Sequence, residues 1–155
     1  GGLTLATLVA LREAGDPLPA AAVCLSPWVD LSCSLPSCDP GLGPDPVIDH
    51  QVIRAMARAY MGRRSLRNPR ASPLFADLRG LPPLLVQAGG DEALIDDARE
   101  IAIAASKAGV HMTLETWPRM IHVWPWYAPV LAEGRAAIER IAEFTRAALA
   151  RADAA

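Results

Sequence analysis

The sequence is short of several features that define particular classes of protein. Its three cysteines are too few, and odd in number, for a disulfide framework. Its 15 Lys and Arg residues against 17 Asp and Glu residues give a net charge of -2, so we expect no nucleic-acid partner. No apolar run approaches the roughly 20 residues needed to cross a bilayer. Because 52% of the residues are hydrophobic, a disordered protein is excluded.

The length of 155 residues fits one domain with a single core. The chain begins with Gly1-Gly2 and lacks the basic and then apolar stretch of a signal peptide. We therefore expect a cytoplasmic protein with free thiols, although Cys33 and Cys38 could meet across a loop.

The hydrophobic pattern predicts an α/β fold. Short apolar runs predict three strands, and longer amphipathic stretches predict a helix before the first strand, another between the last two strands, and one at the C-terminus. This alternation indicates a parallel sheet with right-handed crossovers. The predicted strands are Ala20–Ser26, Pro83–Ala88 and Val110–Trp117, and the first helix is Leu3–Ala14.

Residues 33–62 differ from the rest of the chain. They are rich in Pro, Gly and Ser as far as Pro46, and one helix is predicted around Val47–Tyr60. A connection of this length is too long for a plain loop in a compact domain. We interpret it as either a disordered segment or a functional insertion such as a lid.

Two polar residues follow predicted strands, where ligands of open α/β sheets bind. Asp91 comes after Gly89-Gly90 and His122 comes after the last strand. A carboxylate beside an imidazole is the orienting part of a nucleophilic triad, because it fixes the tautomer of the ring. Two simpler interpretations stay open: Asp91 could cap the helix that starts near Leu94, and His122 could be a solvated loop residue.

The sequence offers no convincing nucleophile. Ser26, Ser72 and Ser106 all lack the strand–turn–helix context of a nucleophile elbow. Gly1-Gly2, however, stands directly before a helix, which is the arrangement that follows such an elbow.

Several further blocks of sequence follow Gly1-Gly2 in order along the chain. They are Leu25-Ser26-Pro27-Trp28-Val29-Asp30-Leu31, Ala71-Ser72-Pro73-Leu74-Phe75-Ala76-Asp77-Leu78, Leu81-Pro82-Pro83-Leu84-Leu85, Gly90-Asp91-Glu92-Ala93-Leu94-Ile95-Asp96-Asp97 and Ile121-His122-Val123-Trp124. With these blocks the chain resembles the hormone-sensitive-lipase-like esterases, the bacterial class IV lipolytic enzymes of the α/β-hydrolase fold. The resemblance covers essentially the whole chain, and the order of the blocks makes it specific.

The resemblance implies that the chain is the C-terminal part of an α/β-hydrolase domain, with residues 33–62 belonging to a cap. It implies a serine carboxylester hydrolase acting on small short- or medium-chain esters or lactones, without a cofactor. Asp91 would be the triad acid and His122 the triad base. The nucleophilic Ser and the oxyanion motif would lie in a missing N-terminal half, before Gly1. Arg119 and Glu92 depart from the family pattern, since many members have Pro where Glu92 stands.

The residues after the histidine suggest a substrate wall. We expect Val123 and Trp124 to contact the substrate, whereas ordinary packing under the last helix is favoured for Trp126 and Tyr127. The spacing of the His and Cys residues fits no metal site. A homodimer is possible, because many relatives pair through the last strand and helix.

A non-catalytic remnant is the alternative function, because no nucleophile or oxyanion donor is visible in the sequence. In the family sheet, the strand that leads to the nucleophile would cover Ala20–Ser26. Without that strand we expect an apolar edge that recruits other chains.

Overall fold

The computed structural model describes residues 1–39, 41 and 45–154. Helices and strands alternate along most of the chain, with short 3-10 turns between some of them. The order is α1 (Gly2–Ala14), β1 (Ala22–Leu25), the turn Pro36–Cys38, α2 (His50–Met61), the turn Pro73–Phe75, β2 (Leu84–Gly89), α3 (Ile95–Lys107), β3 (Met112–Trp117), the turn Trp124–Tyr127 and α4 (Ala132–Ala152).

The three strands form one parallel sheet in the order β1-β2-β3. Cys24 lies opposite Val86, and Val86 lies opposite Leu114. Every residue of the central strand β2 is buried, as expected of a parallel sheet covered on both faces. The predicted α/β class with three parallel strands is confirmed.

Helices cover the two faces of the sheet in three layers. Leu5 of α1 and Ile101 of α3 are fully buried in one cluster with Val86, so these helices lie on one face. Gln87 points to the other face, because side chains alternate along a strand, and its Nε2 donates to the carbonyl of Ala137 in α4 at 3.1 Å. Among the residues described, no helix combines the length and the apolar character that a membrane crossing requires.

The segment 33–62 contains the predicted helix, observed as α2. Asp49 caps its first turn, because its carboxylate accepts from the backbone N–H of Gln51 at 2.7 Å and of Val52 at 3.0 Å. Cys33 and Cys38 are free thiols packed together in a small buried cluster. Residues 40 and 42–44 of this segment lie outside the described residues.

Candidate active site

The ends of the three strands bring distant parts of the chain to one edge of the sheet. Ser26 follows β1, residues 90–92 follow β2, and residues 118–123 follow β3. Because the strands are parallel, their carboxyl ends meet at this edge, where α/β proteins bind ligands.

Backbone bonds join the turn after β2 to the loop that carries His122. The N–H of Gly90 donates to the carbonyl of Trp117 at 2.8 Å, and the N–H of Asp91 donates to the carbonyl of Met120 at 3.0 Å. A Cβ on Gly89 would lie 2.2 Å from the Met120 oxygen, so only glycine permits this close approach. The position of the histidine loop is therefore set by β2.

The carboxylate at the centre of this edge is that of Glu92. Its side chain has no solvent exposure, and its Oε2 accepts from the hydroxyl of Ser26 at 2.7 Å and from the N–H of Gly89 at 3.1 Å. Its Oε1 has no hydrogen-bond partner among the described residues. Because buried polar atoms in proteins are nearly always hydrogen-bonded, a donor is expected near Oε1.

The side chain that faces this free oxygen is His122. Its Nδ1 lies 3.9 Å from Oε1 of Glu92 and has no hydrogen-bond partner in the described part of the chain either. The gap is longer than a hydrogen bond, but catalytic hydrogen bonds are often long without substrate. The His122 side chain is 21% exposed, so its outer edge is accessible to a reacting molecule.

Asp91, the carboxylate that the sequence analysis paired with His122, points elsewhere. It is exposed and lines a polar cavity with Ser37, Asp45 and Arg99, to which Glu92 also contributes. Of the two adjacent acids, Asp91 is exposed, whereas the buried carboxylate of Glu92 lies near the imidazole. One sequence signal could have identified Glu92. Many family members have Pro at this position, so that Glu92 adds a second carboxylate next to Asp91.

Ser26 is the other polar residue that the sequence analysis did not assign to the site. Its hydroxyl oxygen accepts from the N–H of Val123 at 3.0 Å while the hydroxyl donates to Glu92. Ser26 and Val123 both have left-handed backbones, with φ of 41° and 47°. Such a conformation is unusual for a β-branched residue and points to a functional constraint.

An apolar cavity of about 620 Å³ opens in front of His122. Its wall includes His122, Val123 and Ser26 from the strand ends, Gly1 and Gly2 from the start of α1, and one face of α2. The α2 residues that line it are Val52, Ile53, Met56, Ala57 and Tyr60. The cavity therefore joins the polar edge of the sheet to a surface suited to hydrocarbon.

The two expected substrate residues have different positions. Val123 lines the cavity, whereas Trp124 is fully buried and is not part of the wall. The 3-10 turn that starts at Trp124 directs its ring into the core, 5.6 Å from the ring of Trp117. Its backbone carbonyl lies against Gly134 of α4. Trp124 thus packs the last helix instead of contacting a ligand.

A second buried carboxylate, that of Asp97, binds the backbone of the turn that follows Ser26. Oδ1 of Asp97 in α3 accepts from the backbone N–H of Val29 at 2.8 Å and of Asp30 at 2.9 Å. Burial raises the pKa of Asp97 to about 7, although these two bonds act in the opposite direction. Burial acts on Asp30 in the same way, but hydrogen bonds from Ser32 and Ser34 outweigh it and lower the pKa of Asp30. The two acids fix the turn that follows Ser26.

Comparison with known proteins agrees with this architecture. The family model described as "alpha/beta hydrolase fold" matches residues 1–126. An acetyl-hydrolase of Streptomyces hygroscopicus is 52% identical over 147 residues, covering 95% of this chain and 49% of the relative. A putative acetyl-hydrolase, LipR, of Mycobacterium tuberculosis is 35% identical over 138 residues, covering 89% and 44%. The chain therefore spans about half the length of the curated relatives it matches.

Solved structures are equally similar. An esterase from the bacterial hormone-sensitive lipase family superposes with a TM-score of 0.90 and 51% identity, covering 94% of this chain and 49% of that one. The esterase EstE5 superposes with a TM-score of 0.93 and 44% identity, covering 96% and 50%. With this fold, these sequence blocks and these relatives, the chain belongs to the α/β-hydrolase family, among the esterases that resemble hormone-sensitive lipase.

Proposed function

We propose that this chain supplies the acid and the base of a serine carboxylester hydrolase. The observation that carries the proposal is the pair formed by Glu92 and His122. Oε1 and Nδ1 face each other at 3.9 Å, each without another hydrogen-bond partner in the described ranges, and His122 lines an apolar cavity. A buried carboxylate that receives the Nδ1 proton leaves Nε2 free to act as a base.

Glu92 is proposed as the acid in preference to Asp91. The carboxylate of Glu92 is buried, and a buried carboxylate attracts an imidazolium more strongly than one at the surface does. Asp91 is exposed, and among the described residues its carboxylate makes no ion pair with His122. The sequence resemblance favours Asp91 by position, so the two assignments make opposite predictions for single substitutions.

The proposed reaction follows the serine-triad scheme. A serine hydroxyl attacks the ester carbonyl while His122 takes the hydroxyl proton through Nε2. The same proton then passes to the alcohol leaving group, and Glu92 stabilises the imidazolium in between. Water hydrolyses the acyl-enzyme in the second half of the cycle.

The nucleophile is proposed to come from a segment that precedes Gly1. Gly1 and Gly2 line the same cavity as His122, which puts the start of α1 beside the proposed base. Ser26 is a poor nucleophile, because its hydroxyl donates to Glu92 instead of to the imidazole. The half-length match to the relatives agrees with a nucleophile outside this chain.

The cavity suggests the kind of substrate. Its wall is mostly apolar, and α2 extends it away from His122. We propose esters or lactones with a short or medium acyl chain, with Val123 as a substrate contact and residues 33–62 as part of a cap. The relatives are named acetyl-hydrolase, esterase and carboxylesterase, which agrees with this class.

The test is aryl-ester hydrolysis by the native gene product that carries this chain. His122→Ala should lose nearly all activity, because the proposed scheme gives the nucleophile's proton to this imidazole alone. A serine-directed inhibitor should label the wild type and abolish its turnover. Substantial activity in His122→Ala at an unchanged melting temperature would contradict the proposal.

The non-catalytic alternative applies to the 155-residue chain by itself. Without a nucleophile, a triad retains little catalysis. We expect the purified chain to show no measurable ester turnover. Turnover by this chain that survives a serine-directed inhibitor would overturn that expectation and indicate another mechanism.

Two further expectations from the sequence stay proposals: a cytoplasmic location and a homodimer. The apolar side chains of Trp126 and Val130, each more than four-fifths exposed, lie between β3 and α4 and support an interface there. Light scattering on the native gene product tests the dimer, and Trp126→Ser with Val130→Ser should return it to a monomer.

A further inference from the structure

Ser26 lies between the proposed acid and the backbone that follows the proposed base. Ser26 is 3% exposed, and its N–H donates to the carbonyl of Gln87 at 2.8 Å, which anchors it to β2. Its hydroxyl is bonded to Glu92 at 2.7 Å and to the N–H of Val123 at 3.0 Å. One side chain thus links three strand ends.

The direction of the two hydroxyl bonds is fixed by chemistry. The N–H of Val123 can only donate, so the Ser26 oxygen accepts there. The single hydroxyl hydrogen is then directed to the carboxylate, which in its ionised form only accepts. This bond occupies Oε2 of Glu92 and leaves Oε1 as the oxygen turned toward His122.

The backbone on both sides of the link is strained. Ser26 and Val123 have φ of 41° and 47°, a region that is unfavourable for residues other than glycine. Strain of this kind persists only where the surrounding contacts fix it. The hydrogen bond between Val123 and Ser26 joins the two strained residues directly.

We propose that Ser26 is a positioning residue, which holds Oε1 of Glu92 and the backbone of Val123 so that His122 keeps one orientation and one tautomer. The inference rests on the proposed function for its catalytic consequence, but the link itself is a property of the folded chain. Ser26 acts through Glu92 and Val123 and does not touch the substrate's reacting atoms.

The test is nitrogen NMR of the His122 ring in the native gene product that carries this chain, at a pH where the ring is neutral. In the wild type the proton should reside on Nδ1, so that the two ring nitrogens give widely separated resonances. Ser26→Gly removes the hydroxyl, and glycine accepts a positive φ without penalty. The two resonances should then converge toward those of a ring that exchanges tautomers.

Ser72→Ala is the matched control. Ser72 is also fully buried, and its hydroxyl accepts from the N–H of Leu31 and donates to the carbonyl of Leu66, away from Glu92. Its loss should lower the melting temperature while the His122 resonances stay as in the wild type. Convergence in Ser72→Ala equal to that in Ser26→Gly would overturn the positioning role.

The remaining outcomes separate this inference from the proposed function. Unchanged His122 resonances in a folded Ser26→Gly overturn the inference and leave the Glu92–His122 pair intact. A wild type without a fixed Nδ1 proton overturns the pair, and the proposed acid with it. Should Ser26→Gly fail to fold, Ser26→Cys decides, because its thiol is a weak donor of similar shape. Partial convergence of the two resonances in Ser26→Cys supports the role of Ser26, whereas unchanged resonances contradict it.

Discussion

Replacement of Asp97 by Asn is expected to flatten the dependence of folding stability on pH. The Asp97 side chain is 1% exposed, and burial raises its pKa to about 7. Asn keeps an oxygen that can accept from Val29 and Asp30, so the two bonds that hold the turn survive the change. The substitution therefore removes the titration while it keeps the contacts.

The sign follows from the raised pKa. Below about pH 4, Asp97 is protonated in both the folded and the unfolded chain, and its stabilising contribution is fully present. Between pH 4 and 7 the unfolded chain ionises and the folded chain does not, so the free energy of unfolding falls as pH rises. At about 1.4 kcal/mol for each pKa unit, the loss amounts to about 4 kcal/mol by pH 8.

Urea unfolding of the native gene product that carries this chain, between pH 4 and pH 8, measures this loss. The free energy of unfolding of Asp97→Asn, taken relative to that of the wild type, should rise by up to about 4 kcal/mol from pH 4 to pH 8. Asp16→Asn, a substitution at an exposed site, should follow the wild-type curve. Parallel curves for the wild type and Asp97→Asn would refute the argument that burial dominates at this carboxyl.

Three further predictions concern the sheet and its edge. Gly89→Ala puts a Cβ 2.2 Å from the Met120 oxygen, about 1 Å inside ordinary contact, so the histidine loop must move and activity should fall roughly 100-fold in an esterase assay. Ile101→Ala empties a fully buried site under β2 and should cost about 2–5 kcal/mol in urea unfolding. The apolar edge strand β1 should make the isolated chain associate at micromolar concentration, and a Lys at the half-buried Val23 should reduce that association in sedimentation runs.

The alternating pattern of the sequence was sufficient to predict the sheet. Short apolar runs predicted the strands, of which only the third alternates, and the period of 3.6 residues predicted the helices. The apolar runs at β1 and β2 also indicated that both faces of the sheet are covered. His122 could be proposed as a site residue from the sequence, because a polar residue after a strand has little reason to be there for packing, and its role stays a proposal. These features depend on local periodicity, which a single sequence contains.

The choice between Asp91 and Glu92 could not be made in the same way. The two residues are adjacent, and which of them faces the imidazole depends on the bonds that join the turn after β2 to Met120 and Trp117. Those bonds connect residues about 30 positions apart in the chain. No periodicity reports them, and a resemblance by position selected the residue that is exposed in this structure.

The aromatic residues after His122 show the same limit. The expectation that Trp126 packs under the last helix is wrong, since it is 83% exposed, and Trp124 is fully buried. The left-handed backbone of Val123 precedes a 3-10 turn, and in this turn the ring of Trp124 enters the core while the ring of Trp126 faces solvent. A conformation so unusual for valine is not predictable from residue preferences.

The central claim is that Glu92 orients His122, and a pair of substitutions tests it most directly. In the native gene product, kcat/KM for an aryl ester is measured for Glu92→Gln and Asp91→Asn, with melting temperatures to verify folding. Glu92→Gln should lose roughly 10³–10⁴-fold, as expected when the acid of a triad is neutralised, while Asp91→Asn should retain most of the activity. The reverse order, with Asp91→Asn inactive and Glu92→Gln active, would contradict the assignment.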